Sequence, residues 1–358
     1  MIRIEPRQNI SSLATIYIPV ISALAALALA VIPLTFAGAP VLPAFQQMFF
    51  GVFGSVFSFT EMLTRATPLM FTGLAVALAF RARLWNIGAE GQLYLGAMAA
   101  VWIGTGMVDG PQWLMIPLVL VTGAMAGALG MLGPALLKTR FGADEVVTSL
   151  LLNFIILIFV QMMLEGPLKD PMGLGWPQSM PIIDSAALPR LLDRMRIHAG
   201  LIIALVAAII VAIILSRTVL GLKIRAVGEN PSAARHAGIN VNRTLLLVAC
   251  GSGALAGLAG VSEVAGLKGY LTADLSPGFG YAGIVVAMLA GLSPVGVVIS
   301  ALYIATIFVG ADSMSRAMGV SSFLADLVVS LSLICVLIGG FFTRFSVRFE
   351  HQKRGNAQ

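Results

Sequence analysis

Charge is what this chain has least of. Asp, Glu, Lys and Arg make up only 11% of its 358 residues, against about a quarter in a soluble domain, and the mean hydropathy is +0.96. Those values exclude a water-soluble globule. Cysteine is nearly missing too. Cys250 and Cys335 both lie inside apolar runs, so neither a disulfide framework nor a thiolate metal site is available. Three histidines, His198, His236 and His351, are scattered over loops and the tail. No Ser or Cys nucleophile stands beside a base and no metal-ligand spacing occurs, so neither a catalytic centre nor a bound metal or cofactor is expected. A phosphate-binding G-x-x-x-x-G-K-[ST] run is also missing. The nearest stretch, "GPALLKT" (133–139), lacks the glycine before lysine and follows an apolar helix rather than a strand.

What the sequence has instead is apolar runs, recurring along its whole length with no soluble block between them. A bilayer crossing takes about 20 apolar residues, and the runs 14–36, 66–81, 88–107, 112–132, 145–164, 199–216, 244–263, 281–291, 296–310 and 322–342 are candidates. The reading is an all-α polytopic transmembrane helix bundle with about ten membrane helices, one integral domain over 1–358. Residues 281–310 are too many for one span and too few for two, and Ser293-Pro294 breaks them. They are read as a hairpin of two short helices. The first run is a full span and is taken as a retained anchor, not a secretion signal. Phe45 to Phe59 either lies along the interface or dips into the membrane.

The net charge of +6 carries topology rather than nucleic-acid binding. With both termini cytoplasmic, most Lys and Arg fall on the inner side, among them Arg81, Arg83, Lys138, Arg140, Arg217, Lys223, Arg225, Arg235 and Arg243. The Pro- and Gly-rich loop 165–198 then lies outside, as a cap or lip. Small residues at four-residue spacing, Gly123 with Gly127 and Gly253 with Gly257, let helix backbones approach closely in lipid.

Polar groups within a span are costly and mark function by default. Asn86, Glu90 and Gln92 form the richest cluster, and Asn153 is a lone amide in the span 145–164. They either line a solute pathway, where carboxylate and carboxamide groups suit a hydroxyl-rich solute, or stitch helices together, with Glu90 pairing with Arg81 or Arg83. Glu263 and Asp326, near span ends, are read as solvated.

The charged stretch 217–243 lies between two spans on the inner side. Within it "NPSAARHAG" has its own start and stop: Asn230 as N-cap, Pro231 at the first helical position, Gly238 just past the end. So short a helix is unstable alone, and with Ala233, Ala234 and Arg235 it has no large apolar residue to insert in lipid. Docking on another protein fits it, with Arg225 and Glu229 at the rim; an ordinary solvated loop is the other reading.

Several runs carry a resemblance. "NIGAEGQLYLGA", "DEVVTSLLLNF", "RAVGENPSAARHAGINV", "SGALAGLAG" and "GYAGIVVAMLAGLSPVG", in this order along the chain and covering most of 66–311, resemble the ABC importer permeases of the branched-chain amino acid, ribose and nucleoside class. "NIGAEGQ" with "DEVVTSLLLN" looks most like the nucleoside or simple-sugar permeases. The resemblance implies a permease subunit in lipid of the bacterial cytoplasmic (inner) membrane, without an ATPase of its own. ATP would be bound by a separate cytoplasmic ABC ATPase seated on Ser232 to Gly238. A second permease, related or identical, and an extracytoplasmic solute-binding protein would complete it. Read from the residues alone, an ion-gradient-coupled transporter of a small polar solute stays open as the alternative.

Overall fold

The computed structural model describes residues 2–6 and 12–349; the basic tail after 349 lies outside them. In chain order the helices begin with α1 (Ser12–Phe36), α2 (Val41–Phe53), α3 (Val56–Arg81), α4 (Ala89–Gly104) and α5 (Gln112–Phe141). There follow α6 (Glu145–Glu165), α7 (Gly200–Arg217), α8 (Val219–Glu229), α9 (Pro231–His236) and α10 (Val241–Val261). The last are α11 (Phe279–Leu289), α12 (Pro294–Met318) and α13 (Ser322–Arg344). Each of the ten apolar runs is helical. Seven helices among the described residues are long and apolar enough to cross a membrane; α1, α4 and α11 supply the rest of the expected set. The chain is a multi-pass membrane protein.

Two compact units make up the chain, Gly51–Val309 and Met1–Phe50 with Gly310–Gln358. In the latter α1 packs against α13, and Ala30, Leu34, Ala44, Met314 and Val328 form a buried cluster. A two-stranded antiparallel ribbon, β1 (Ile2–Pro6) with β2 (Phe345–Phe349), is the departure from helix here.

In the larger unit α3 is buried along nearly its whole length. It starts ten residues before the expected run because the Ser55 side chain caps it, accepting from the Ser58 N–H at 3.1 Å. The polar residues Glu61 and Arg65, which kept hydropathy low there, fall inside the helix. The 281–310 region also differs from two short helices. α11 has 11 residues, whereas α12 has 25. Ahead of α11 the chain descends in a non-helical segment, 269–278. α10 itself continues as a π-helical turn, Ser262–Lys268.

The small-residue faces meet one another. α10 packs on α5 and α4 so closely that a Cβ on Gly253 would run into the Gly127 carbonyl, and one on Gly257 into the Gly123 carbonyl. Only glycine permits that approach. Loop 165–198 is stitched to the far end of the same helices. Leu188 N–H donates to the Ala265 carbonyl at 2.7 Å, Ile182 N–H to Gly269 at 2.8 Å and Ile183 N–H to Gly104 at 2.7 Å. His198, wedged against Gly200 and Gly266, accepts from the Gly200 N–H at 3.1 Å. Burial pushes its imidazole down to about 4, so it stays neutral at neutral pH.

Gly253→Leu should force α5 and α10 apart and lower stability by about 1–3 kcal/mol or more, the cost of overpacking a tight core. Gly133→Leu, whose Cβ would meet nothing within 4 Å, should change it little. Thermal unfolding of both variants in one detergent checks the contrast.

Candidate functional site

Between α3 and α4 the chain leaves helical geometry for residues 82–88, with Arg83 in the left-handed region at φ 52°. Buried amides freed in this way need partners inside the protein. The predicted cluster supplies them. Asn86, fully buried, donates through Nδ2 to Gln92 Oε1 and to Ser252 Oγ, each at 2.9 Å. Its own Oδ1 accepts from Gln92 Nε2 and from the Gly88 N–H, each again at 2.9 Å. Ser252 passes the chain on to the Ala75 carbonyl at 2.7 Å. One amide pair thus ties α3, α4 and α10 together.

Asn153 reaches the same break from α6. Its Nδ2 donates to the Ile87 carbonyl at 2.8 Å and its Oδ1 accepts from the Gly91 N–H at 2.9 Å. Ser149, one turn earlier, accepts from the Ile87 N–H at 3.2 Å. Glu145 at the head of α6 accepts from the Trp85 N–H at 3.3 Å and pairs with Lys138.

Glu90 serves the second interruption. Its carboxylate accepts from the Gly280 N–H at 2.6 Å, at the first turn of α11, whose N-cap Gly278 has no side chain to offer. A carboxylate against the amides of a helix start is favourable in hydrogen bonding and in the helix dipole. One turn along α4, the Tyr94 hydroxyl donates to the Ala273 carbonyl at 2.7 Å and accepts from the Ser276 N–H at 3.2 Å. Ser276 Oγ takes the N–H groups of Gly278 and Phe279. Arg81 does not meet Glu90; its Nε donates to the Leu292 carbonyl at 3.0 Å. The predicted residues therefore lie together, contributed by the 82–88 segment, α4 and α6, and they hold both unwound segments. Their distant partners, Ser252, Ser276 and Gly280, carry no local sequence signal.

The stretch 217–243 holds more helix than expected. α8, missed because glycines and charges interrupt its pattern, is capped by Thr218 and buries Gly221, Ile224, Val227 and Gly228. Gly228 lies against the Arg81 carbonyl at the end of α3. α9 follows with the expected caps: Asn230 Oδ1 accepts from the Ala233 N–H at 3.0 Å, Pro231 opens the helix, and Gly238 follows it at φ +80°. Ala234 alone of its residues is buried; Ala233 and Arg235 are exposed, as are Arg225 and Glu229 alongside.

At the other end of the unit lies a polar cavity of about 530 Å³, lined among others by Glu61, Arg65, Arg196, Glu263, Lys268 and Asp274. Glu263 is 2% exposed rather than solvated, since the π-helical turn carries it inward; Asp326 is exposed as expected.

Glu90→Ala should free the start of α11, costing about 1–3 kcal/mol for the buried Gly280 N–H left without its partner. Hydrogen exchange at residues 276–281 should accelerate while that of α5 stays unchanged; protection at α11 equal to wild type would contradict the capping role.

Similarity to known proteins agrees with this architecture. The chain is 35% identical over 365 residues to a glucose ABC transporter permease protein of Haloferax volcanii, covering 99% of this chain and 96% of that one. It is 35% identical over 347 residues to a guanosine ABC transporter permease protein of Bacillus subtilis, covering 95% and 97%. To a nucleoside ABC transporter permease protein of Lactococcus lactis it is 36% identical over 295 residues, covering 80% and 81%. No solved structure matches the chain. Residues 58–337 match the family described as branched-chain amino acid transport system / permease component, and the chain belongs to that family of membrane-spanning ABC transporter permeases.

Proposed function

We propose that this permease imports a nucleoside or a simple sugar across the bacterial cytoplasmic membrane, both termini facing the cytoplasm. The substrate class rests on near full-length similarity to permeases named for glucose and guanosine. A separate ABC ATPase powers the cycle, and an extracytoplasmic solute-binding protein delivers the solute. A second permease subunit, a related chain or a copy of this one, completes the pathway.

The observation that carries the energy coupling is α9: six residues, capped at both ends, with all but one of them exposed. A helix that short gains little from its own hydrogen bonds, and a partner cleft gives it a reason to be formed. Asn230, Pro231 and Gly238 fix its ends. Ala233, Ala234 and Arg235 present its surface, with Arg225 and Glu229 as rim charges. Force applied there reaches α3 through Gly228 and α10 through Val241, buried at the start of that helix.

Asn86, Glu90, Gln92 and Asn153 border the pathway in this reading. They act by setting the two unwound segments against each other, so that sliding of α10 or α11 alters the opening between them.

In proteoliposomes containing the whole transporter, Ala233→Trp and Arg235→Glu should cut solute uptake about tenfold or more while the chain still inserts. Gly238→Leu should do the same through backbone strain, since its Cβ would meet nothing within 4 Å. Uptake by the purified chain alone, without ATPase or ATP, would remove the proposal.

A further inference from the structure

The polar cavity at the end of the larger unit opposite α9 is built around a carboxylate with an unmet demand. Glu263, 2% exposed, lines it, and its Oε1 has no hydrogen-bond partner among the described residues. A buried carboxylate oxygen left this way is expensive unless a donor arrives. The residue sits in a π-helical turn, Ser262–Lys268, a wide turn that frequently occurs at functional sites.

The lining selects the donor. Arg65, Arg190, Arg196 and Lys268 face the cavity together with Glu61, Glu263 and Asp274. Four cations disfavour a metal ion, and three carboxylates disfavour a free anion. A neutral group that both donates and accepts satisfies both kinds at once: hydroxyls donate to Glu263 and Asp274 and accept from Lys268 and from Arg196, whose hold on Glu61 is loose at 3.5 Å. An adjoining cavity of about 510 Å³ shares Lys268, Tyr270 and Asp274 and adds Trp176 and Gln178. Its two aromatic rings offer flat surfaces for a sugar ring or a base. Each volume lies within the range of about 300–1,000 Å³ usual for small-molecule sites.

We infer that this vestibule is a binding site for a neutral, hydroxyl-rich ring, a sugar or the ribose of a nucleoside, held by Glu263 and Tyr270 before it enters the bundle. The inference rests on the importer reading above, in which this end faces outward. It assigns substrate contact to residues separate from Asn86, Glu90, Gln92 and Asn153, whose side chains hydrogen-bond within the chain.

The test is equilibrium binding of radiolabelled guanosine and of radiolabelled glucose to the full chain in nanodiscs, without ATP or binding protein. One of the two should bind saturably, and Glu263→Ala should weaken it about tenfold or more. Tyr270→Ala, at a half-exposed position that leaves Glu263 buried, should weaken it as well and guards against misfolding of the first variant. Binding of neither probe by wild type, or unchanged binding by both variants, overturns the site. ATP-driven uptake by the complete transporter separates the two readings: uptake with an unchanged KM in Tyr270→Ala counts against the vestibule alone, whereas no ATP-driven uptake by wild type counts against the importer.

Discussion

A backbone amide buried in a helix bundle needs a partner inside the protein, and this permease interrupts its helices twice. Residues 82–88 and 269–278 both leave helical geometry, and each buried peptide group left unpaired there would be costly. Side chains at and just before the beginning of α4, with one from α6, resolve both. Asn86 and Gln92 lock the first segment onto α10, and Asn153 fastens it to α6. Glu90 and Tyr94, on the same helix, take up the second. Much of the polarity within these spans is spent on the protein's own main chain, which explains why so apolar a sequence keeps a glutamate and three carboxamides near one level.

Around those breaks the glycine contacts make the unit stiff. α10 touches α5 backbone to backbone at Gly253 and Gly257, and the carbonyl of Leu93 in α4 lies against Gly260. With its π-helical extension α10 runs from Val241 to Lys268, about 40 Å at 1.5 Å per residue. One end adjoins α9 and the other lines the polar cavity. In the proposed cycle, a displacement at the exposed short helix is carried along α10 to the far vestibule, with the two unwound segments as the places that yield.

Local physics was legible in the sequence, and long-range partners were not. Asn230, Pro231 and Gly238 announced the start and stop of α9 because caps are set by neighbouring residues. Gly123, Gly127, Gly253 and Gly257 announced close packing because helical periodicity places them on one face. The cluster of Asn86, Glu90 and Gln92 reads as either lining a solute pathway or stitching helices together, yet the partners of Glu90 and Asn86 lie 190 and 166 residues away, and no pattern within the cluster points to them. Glu263 was misread for a different reason: its position near a span's end suggested solvent, and the π-helical turn that draws it inward leaves hydropathy unchanged. α8 escaped because its buried face includes Gly221 and Gly228, which mark close approach in a folded protein and look like breakers in a bare sequence.

The claim on which the account turns is that α9 seats in a separate ATPase. A photo-activated cross-linker at Ser232, exposed on α9, in native membranes tests it most directly. The account predicts a covalent adduct with an ABC ATPase, lost when the cross-linker is moved to the outward-facing side of α6 at Ile158. Adducts to lipid alone, or equal ATPase capture from both positions, would contradict it.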